Sequence, residues 1–205
     1  KPEITITSPG GEHKAGDEIT YIIEITEENP YDINEDKIVV TGGTIGNIDT
    51  STPGKIIVNV IVGDGNGEII FKAEEGLIKD NAGNESETKS DNSVIADNTA
   101  PVINGATINN GATTTTEVGV TVQIDATNAD WMFVTNDDKS LADVMGLPEG
   151  PNGWVPFADE TLHELTQGDG EKTIYVWAKD EAGNIVGPEQ RTIVLSALKI
   201  GNEND

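Results

Sequence analysis

The pattern K-D-x-A-G-N occurs twice in this chain, at residues 79–84 and 179–184, and the two copies are 100 residues apart. A G-D-G turn and a run of apolar residues precede each copy, over residues 63–73 and 168–178. Solenoid repeats are roughly 20–50 residues long, so a repeat of this length indicates two tandem domains instead. The 205 residues of the chain are enough for two domains of ordinary size.

Alternating apolar and polar residues predict β-strands in both halves of the chain. Residues 18–26 and 55–62 in the first half, and 119–126 in the second, place an apolar side chain at every second position. About seven short runs of this kind, separated by Gly, Pro, Asn and Asp, fall in each half, which is the pattern of an Ig-like sandwich. The sequence therefore predicts an all-β fold made of two tandem Ig-like β-sandwich domains.

A polar segment, D-N-T-A-P at residues 97–101, separates the two halves. Its proline favours an extended backbone at the residue before it, and P-V-I at residues 101–103 repeats the P-E-I of residues 2–4. We place the boundary here, which gives predicted domains 1–98 and 99–205. In the first domain we interpret D-G-N-G at residues 64–67 as a hairpin turn, because such dipeptides suit tight hairpins.

The chain is strongly acidic, with a formal net charge of −25 at pH 7. Such a charge repels nucleic acid and anionic membranes, so we expect neither as a partner. No apolar run approaches the roughly 20 residues that a membrane span needs, so membrane insertion is not expected. The absence of cysteine excludes disulfides and thiolate metal sites. Carboxylates remain as possible oxygen ligands for divalent cations.

The chain starts at Lys1-Pro2-Glu3 without a leader peptide and ends in a polar G-N-E-N-D tail. We therefore expect it to be a segment of a longer protein. Its two histidines, His13 and His163, fall one in each half and are not near a nucleophile motif such as G-x-S-x-G. On this basis we expect a chain without catalytic activity.

The second half resembles the Ig-like and fibronectin-type-III-like modules that are strung along bacterial surface proteins. The resemblance lies in V-T-V-Q-I-D-A at residues 120–126, W-M-F-V-T-N-D at 131–137, G-W-V-P-F-A at 153–158 and G-D-G-E-K-T-I-Y-V-W-A-K-D-E-A-G-N at 168–184. The first half resembles bacterial Ig-like domains through A-G-D-E-I-T-Y at residues 15–21 and D-N-A-G-N at 80–84.

This resemblance implies a spacer or adhesion role at the cell surface or outside the cell. The expected partners are neighbouring domains of the parent chain and a host or cell-surface protein or glycan. A fold resemblance alone does not establish such a function.

The segment D-N-T-A-P is also similar to the D-N-A-P joint between cadherin repeats, and that resemblance implies calcium at the junction. Asp80, Asn84, Asp97 and Asn98 would be its ligands if their loops converged at one pole of the first domain, because calcium takes 6–8 oxygen ligands. A second interpretation is open for the D-x-A-G-N turns. Asp and Asn side chains can bond to nearby backbone amides, so that the turn stabilises itself.

Aromatic residues suggest an alternative function, a carbohydrate-binding accessory region of a secreted glycoside hydrolase. Three tryptophans, Trp131, Trp154 and Trp177, could stack on sugars, although β-sandwiches commonly bury one between their sheets. Trp154 stands in a Gly- and Pro-rich loop, so we expect it to be the exposed one and name it as the candidate ligand-binding residue.

Overall fold

The computed structural model describes residues 1–27 and 30–196. The chain divides into unit 1, Lys1–Thr99, and unit 2, Ala100–Asp205. This division falls one residue after the expected boundary, and residues 197–205 of the expected second domain lie outside the described residues. Regular structure is almost entirely β-strand, with a single short α-helix and two 3-10 turns among the described residues. The prediction of an all-β fold is confirmed.

The described residues of unit 1 form ten strands, most of them in two four-stranded sheets. The strands are β1 (Glu3–Thr7), β2 (Gly11–His13), β3 (Glu18–Thr26), β4 (Tyr31–Ile33), β5 (Ile38–Thr41), β6 (Gly43–Asp49), β7 (Lys55–Val62), β8 (Gly67–Ala73), β9 (Ile78–Asp80) and β10 (Lys89–Ala96). One sheet has the order β1-β3-β7-β6, the other has the order β2-β10-β8-β5, and β4 pairs with β9. Strands β1-β3-β7-β6 and β10-β8-β5 match the two sheets of a constant-type Ig sandwich, and β2 adds a fourth strand to the second sheet.

The core of unit 1 follows from the alternation in its strands. In β3 and β7, every second side chain points away from solvent and packs against the buried residues of β8 and β10. At the centre, the rings of Tyr21 and Phe71 stack with their centroids 4.2 Å apart. Small β-sandwich cores are thin, so Val and Ile fill most of the remaining space.

The hairpin expected at residues 64–67 is not present. Strands β7 and β8 lie in different sheets, so the segment between them crosses from one sheet to the other. The reason is that β7 already pairs with β3 on one side and with β6 on the other. No edge of β7 is left for β8. The sequence pattern did not predict strand β6, because Gly46 and a register shift between Ile45 and Asn47 interrupt its alternation of apolar and polar residues.

Unit 2, as far as residue 196, forms eight strands and one α-helix. These are β11 (Val102–Ile108), β12 (Thr114–Thr115), β13 (Gly119–Thr127), β14 (Trp131–Thr135), α1 (Leu141–Met145), β15 (Val155–Pro156), β16 (Glu160–Glu164), β17 (Gly170–Lys179) and β18 (Ile185–Leu195). A three-stranded sheet, β11-β13-β16, packs against a five-stranded sheet, β12-β18-β17-β14-β15, through one core. The helix begins in a capping box between Ser140 and Asp143.

In unit 1 the chain passes from one pole of the sandwich to the other. We call the end at which β1 begins the proximal pole and the opposite end the distal pole. Strand β10 begins beside the proximal pole, where Lys1 Nζ lies 2.8 Å from Glu87. It ends at the distal pole, where Ala96 pairs with Gly67. Strands β2 and β10, which pair at the distal end, run parallel to each other.

Unit 2 has the same arrangement within itself. At its proximal pole, Val102 pairs with Thr127, and Asp130 N donates a hydrogen bond to Lys179 O, 2.9 Å away. At its distal pole, the last residue of β18, Leu195, pairs with Gly170. Strands β12 and β18 are parallel there. In both units, therefore, the K-D-x-A-G-N turn lies at the proximal pole and the G-D-G turn at the distal pole.

Candidate functional site

The first candidate site is the D-x-A-G-N turn, which has the same hydrogen bonds in both units. Asn84 N donates to Asp80 Oδ1 at 2.8 Å, and Asn84 Nδ2 donates to Asp80 Oδ2 at 2.7 Å. The matching distances between Asn184 and Asp180 are 2.7 and 2.9 Å. Backbone bonds close the turn, since Gly83 N donates to Asp80 O at 2.9 Å. Gly83 has a φ of 87°, which favours glycine at this position.

These bonds occupy both oxygens of the buried Asp80 carboxylate, whose Oδ1 also accepts from Ala82 N at 2.9 Å. The hydrogen bond from the Asn84 side chain is the main reason that the pKa of Asp80 lies below its usual value. Since an ionised carboxylate is the better acceptor, the charged form of Asp80 holds the turn together. The geometry matches the self-stabilising interpretation of this motif.

The second candidate site is the segment at the end of unit 1. Asn98 Oδ1 accepts from Ala15 N at 2.6 Å, while Asn98 Nδ2 donates to Gly63 O at 3.2 Å and to Gly65 O at 3.1 Å. Asn98 N donates to Asn66 Oδ1 at 2.8 Å. The side chain thereby ties the end of unit 1 to the G-D-G turn at the distal pole. Sequence reasoning did not foresee this function of the G-D-G turn.

The four expected calcium ligands do not lie together. Asp80 and Asn84 are at the proximal pole of unit 1, where Asp80 Oδ2 lies 4.0 Å from the N-terminal amine of Lys1, whereas Asp97 and Asn98 are at its distal pole. The two poles are separated by the length of β10, on the order of 25 Å for eight residues at about 3.3 Å each. The expected convergence is therefore wrong, because Asp80 and Asp97 come at opposite ends of the same sandwich.

Asp97 is held locally, since its Oδ1 accepts from Thr99 N at 2.9 Å. Its backbone N–H donates to His13 O, also at 2.9 Å, which continues the pairing of β2 with β10. Within residues 1–27 and 30–196, no group of three or more His, Asp or Glu side chains is placed to hold a metal ion.

The third candidate, Trp154, is not the exposed residue that we expected, since only 1% of its surface is accessible. The Gly- and Pro-rich loop folds back over it, with Trp154 N donating to Pro148 O at 2.9 Å. Its indole Nε1 donates to Val144 O of α1 at 3.1 Å. A loop rich in Gly and Pro therefore does not expose its aromatic residue here, because the chain uses that residue to anchor α1.

All three tryptophans contribute to one cluster in unit 2. Trp154 and Trp177 pack with Val144 in its centre, and Trp131 lies partly buried at its margin. Lys179 Nζ covers this margin, 5.1 Å from the ring centroid of Trp131 and 5.3 Å from that of Trp154. This cation–π arrangement stabilises the cluster, and it places a charged group over the face that a sugar ring would need.

One feature of unit 2 was missed by the sequence reasoning. Leu162, on β16, is 84% exposed, the highest value among the exposed large apolar side chains that the structure describes. It lies on the outer face of the three-stranded sheet, opposite Thr121 of β13. The alternation of E-T-L-H-E at residues 160–164 could have revealed this exposure, because it places Leu162 on the same face of the strand as two acidic residues.

Comparison with known proteins gives similarities in structure only. No protein-family model matches the chain, and no curated protein matches it. The fibronectin(III)-like modules of Clostridium thermocellum CbhA are similar over 98% of this chain and 98% of theirs, with 16% identity and a TM-score of 0.45. The Escherichia coli adhesin FdeC is similar over 96% of this chain and 64% of its own, with 14% identity and a TM-score of 0.39.

An I-band fragment of titin is similar over 96% of this chain and 65% of its own, with 12% identity and a TM-score of 0.42. The chain thus spans less than two thirds of the adhesin and of the titin fragment. The assignment to Ig-like sandwiches rests on the strand order of each unit, which is independent of these similarities. None of the helices in the described part of the chain is long and apolar enough to cross a membrane.

Proposed function

We propose that the chain is a non-catalytic pair of Ig-like modules from a bacterial surface or secreted protein, in which it acts as a spacer and presents surfaces for adhesion. The observation that carries this proposal is the course of the chain within each unit. Each sandwich receives the chain at its proximal pole and releases it at its distal pole. A module of this kind adds its own length to the chain of domains in which it stands.

The hydrogen bonds at the poles support the same function. At the distal pole of unit 1, the side chain of Asn98 is tied to the backbone of residues 63–65. At the proximal pole of each unit, the D-x-A-G-N turn is closed by its own side chains. Hydrogen bonds within the chain thus reinforce both poles of unit 1 and the proximal pole of unit 2, which suits a spacer.

The alternative function, a carbohydrate-binding accessory region, depended on an exposed Trp154. Trp154 is buried and hydrogen-bonded to Val144. A host or cell-surface protein is consequently the partner class that we retain for adhesion.

Calcium at the end of unit 1 stays a prediction, and it would now depend on Asp97 and Asn98 without Asp80 and Asn84. A cation that binds only the folded state at a hundredfold excess over its Kd stabilises that state by about 2.7 kcal/mol. Millimolar calcium should then raise the melting temperature of the wild type relative to chelator. Asp97→Asn should weaken this rise, and Asp80→Asn should leave it intact. Identical melting in calcium and chelator for the wild type would contradict the prediction.

The spacer function can be tested by placing the chain between a cell-wall anchor and a fluorescent reporter. Unit 1 alone should raise the reporter by about 25 Å, the length of an eight-residue strand, and the complete chain should raise it further. A Gly/Ser linker of equal residue number is the control, because a flexible coil gives a broad distribution of heights. A height that is unchanged between one unit and two, or as broad as that of the linker, would overturn the proposal.

A further inference from the structure

Strand β16 is an uncovered edge of unit 2. It pairs with β13 on one side, and no strand in the described part of unit 2 pairs with its other side. The corresponding strand of unit 1 is paired on both sides. Strand β7, which like β16 is followed by a G-D-G turn, lies between β3 and β6. Unit 2 therefore leaves open a position that unit 1 fills with a strand of its own.

The hydrogen bonds at the two ends of β16 show which backbone groups face the open side. Ile124 N donates to Asp159 O and Leu165 N donates to Val118 O, both at 2.8 Å. In an antiparallel ladder, the residues that bond to one neighbour alternate with the residues that face the other side. The odd-numbered residues from 159 to 165 thus bond to β13, and the even-numbered residues between them face outward.

The outward-facing residues are Glu160, Leu162 and Glu164. Two of their carbonyls have side-chain contacts: Glu164 O accepts a hydrogen bond from Asn136 Nδ2 at 2.8 Å, and the Thr161 hydroxyl lies 3.5 Å from Leu162 O. Their N–H groups have no backbone partner among the described residues. An incoming strand can accept hydrogen bonds from these N–H groups, as one strand of the β6–β7 pair does from the other.

The side chains of the same three residues give this edge a distinct chemistry. Leu162 is 84% exposed, and Glu160 and Glu164 on either side of it are exposed as well. All three project from the outer face of the sheet, because side chains alternate between faces. The edge consequently presents an acidic, an apolar and an acidic side chain at successive positions of one face.

This pattern selects among the strands that could be added. A second copy paired antiparallel about Leu162 would place Glu160 of one chain opposite Glu164 of the other, and like charges directly opposite destabilise a strand pair. The net charge of −25 adds to that repulsion. Charges on an edge strand are a common means of preventing self-association, but they also attract a strand of opposite charge.

We propose that β16 accepts an added β-strand from a partner protein, namely an extended segment with the pattern basic-x-apolar-x-basic. Its apolar residue would lie opposite Leu162, and its two basic residues would lie opposite Glu160 and Glu164. Main-chain hydrogen bonds give affinity in this mode of recognition, and the alternate side chains give specificity. This surface is separate from the spacer function, which depends on the poles of each unit.

The test uses the complete chain and the peptide Thr-Lys-Thr-Val-Thr-Lys-Thr. Calorimetric titration should show binding, and amide hydrogen exchange at Leu162, Glu160 and Glu164 should slow by at least about tenfold in the complex. A peptide with glutamate in place of both lysines should bind at least about tenfold more weakly. A peptide N-methylated at alternate amides tests the main-chain ladder, since it keeps its charge but cannot donate those hydrogen bonds.

Variants of the chain complete the test. The double variant Glu160→Lys/Glu164→Lys should no longer bind the lysine peptide and should bind the glutamate peptide instead. Asp64→Lys/Glu68→Lys is the matched control, because it changes the net charge equally at exposed positions of the other unit. If the N-methylated peptide binds equally well, or if the control variant loses binding equally, then the lysine peptide is bound only by general attraction to an acidic protein. Either result would overturn the proposal. Concentration-dependent dimerisation through β16 would overturn it too.

Discussion

Replacement of Trp154 by alanine should destabilise unit 2 severely, although this residue stands in a Gly- and Pro-rich loop. Its side chain is buried against Trp177 and Val144, and its indole donates a hydrogen bond to Val144 O. Burial of about 150–250 Å² of aromatic surface, at about 25 cal/mol per Å², is worth about 4–6 kcal/mol. Measured Trp-to-Ala costs in protein cores, about 3–5 kcal/mol, agree with this range.

A domain of about 100 residues loses about 4–8 °C in melting temperature for each kcal/mol. A cost of about 3 kcal/mol should thus lower the melting temperature of unit 2 by at least about 12 °C. Trp154→Phe keeps an aromatic ring but leaves Val144 O without its donor, so we expect a smaller cost of about 1–2 kcal/mol.

The assay is simple because every tryptophan of the chain belongs to unit 2. Thermal unfolding followed by the fluorescence of the remaining tryptophans reports unit 2, while circular dichroism reports both units. In Trp154→Ala, the fluorescence transition should move to lower temperature and the transition of unit 1 should stay in place. A shift below about 4 °C would refute the reasoning, because it would mean that Trp154 is not a packed core residue.

Three further predictions concern individual groups. Tyr21→Phe should stabilise unit 1 by about 1 kcal/mol in chemical denaturation, because the buried hydroxyl has no hydrogen-bond partner among the described residues; a destabilised variant would show that the hydroxyl is satisfied. Burial lowers the pKa of His163 below its usual 6.5, so the stabilisation from its neutral form is present above pH 6.5 and is lost as the pH falls through the lowered value. Unit 2 should melt at lower temperature at pH 5 than at pH 7, and His163→Leu should reduce that difference; an unchanged difference would exclude His163 as its cause. Gly83→Ala and Gly183→Ala should each cost about 1–2 kcal/mol in their own unit, because φ is positive at both positions, and at Gly83 the cost is one of backbone conformation alone, since no other atom lies within 4 Å of an added Cβ; if thermal melting shows no loss, the left-handed turn is not required.

The sequence predicted the features that depend on local pattern. Alternation at residues 18–26 and 55–62 identified β3 and β7, because a strand with one buried face leaves that trace in the sequence. The D-x-A-G-N turn was also readable, since its side chains bond within five residues. These contacts are short in sequence and do not depend on the rest of the fold.

The features that escaped prediction depend on contacts between distant segments. Whether residues 64–67 form a hairpin or a crossover depends on β6, which occupies the second edge of β7. The burial of Trp154 depends on α1 and β17, which lie on either side of it in the sequence. The separation of Asp80 from Asp97 depends on the direction of β10. No local pattern contains this information.

The parallel pairing of β2 with β10, and of β12 with β18, has a mechanical consequence. When the two ends of a unit are pulled apart, β2 is drawn toward the proximal pole and β10 toward the distal pole. The two strands would have to slide along each other, so their hydrogen bonds share the load and must break together. An antiparallel hairpin pulled at its open end would lose its bonds one at a time. Unit 2 loads β12 against β18 in the same way, so that both units resist tension along the chain through shear.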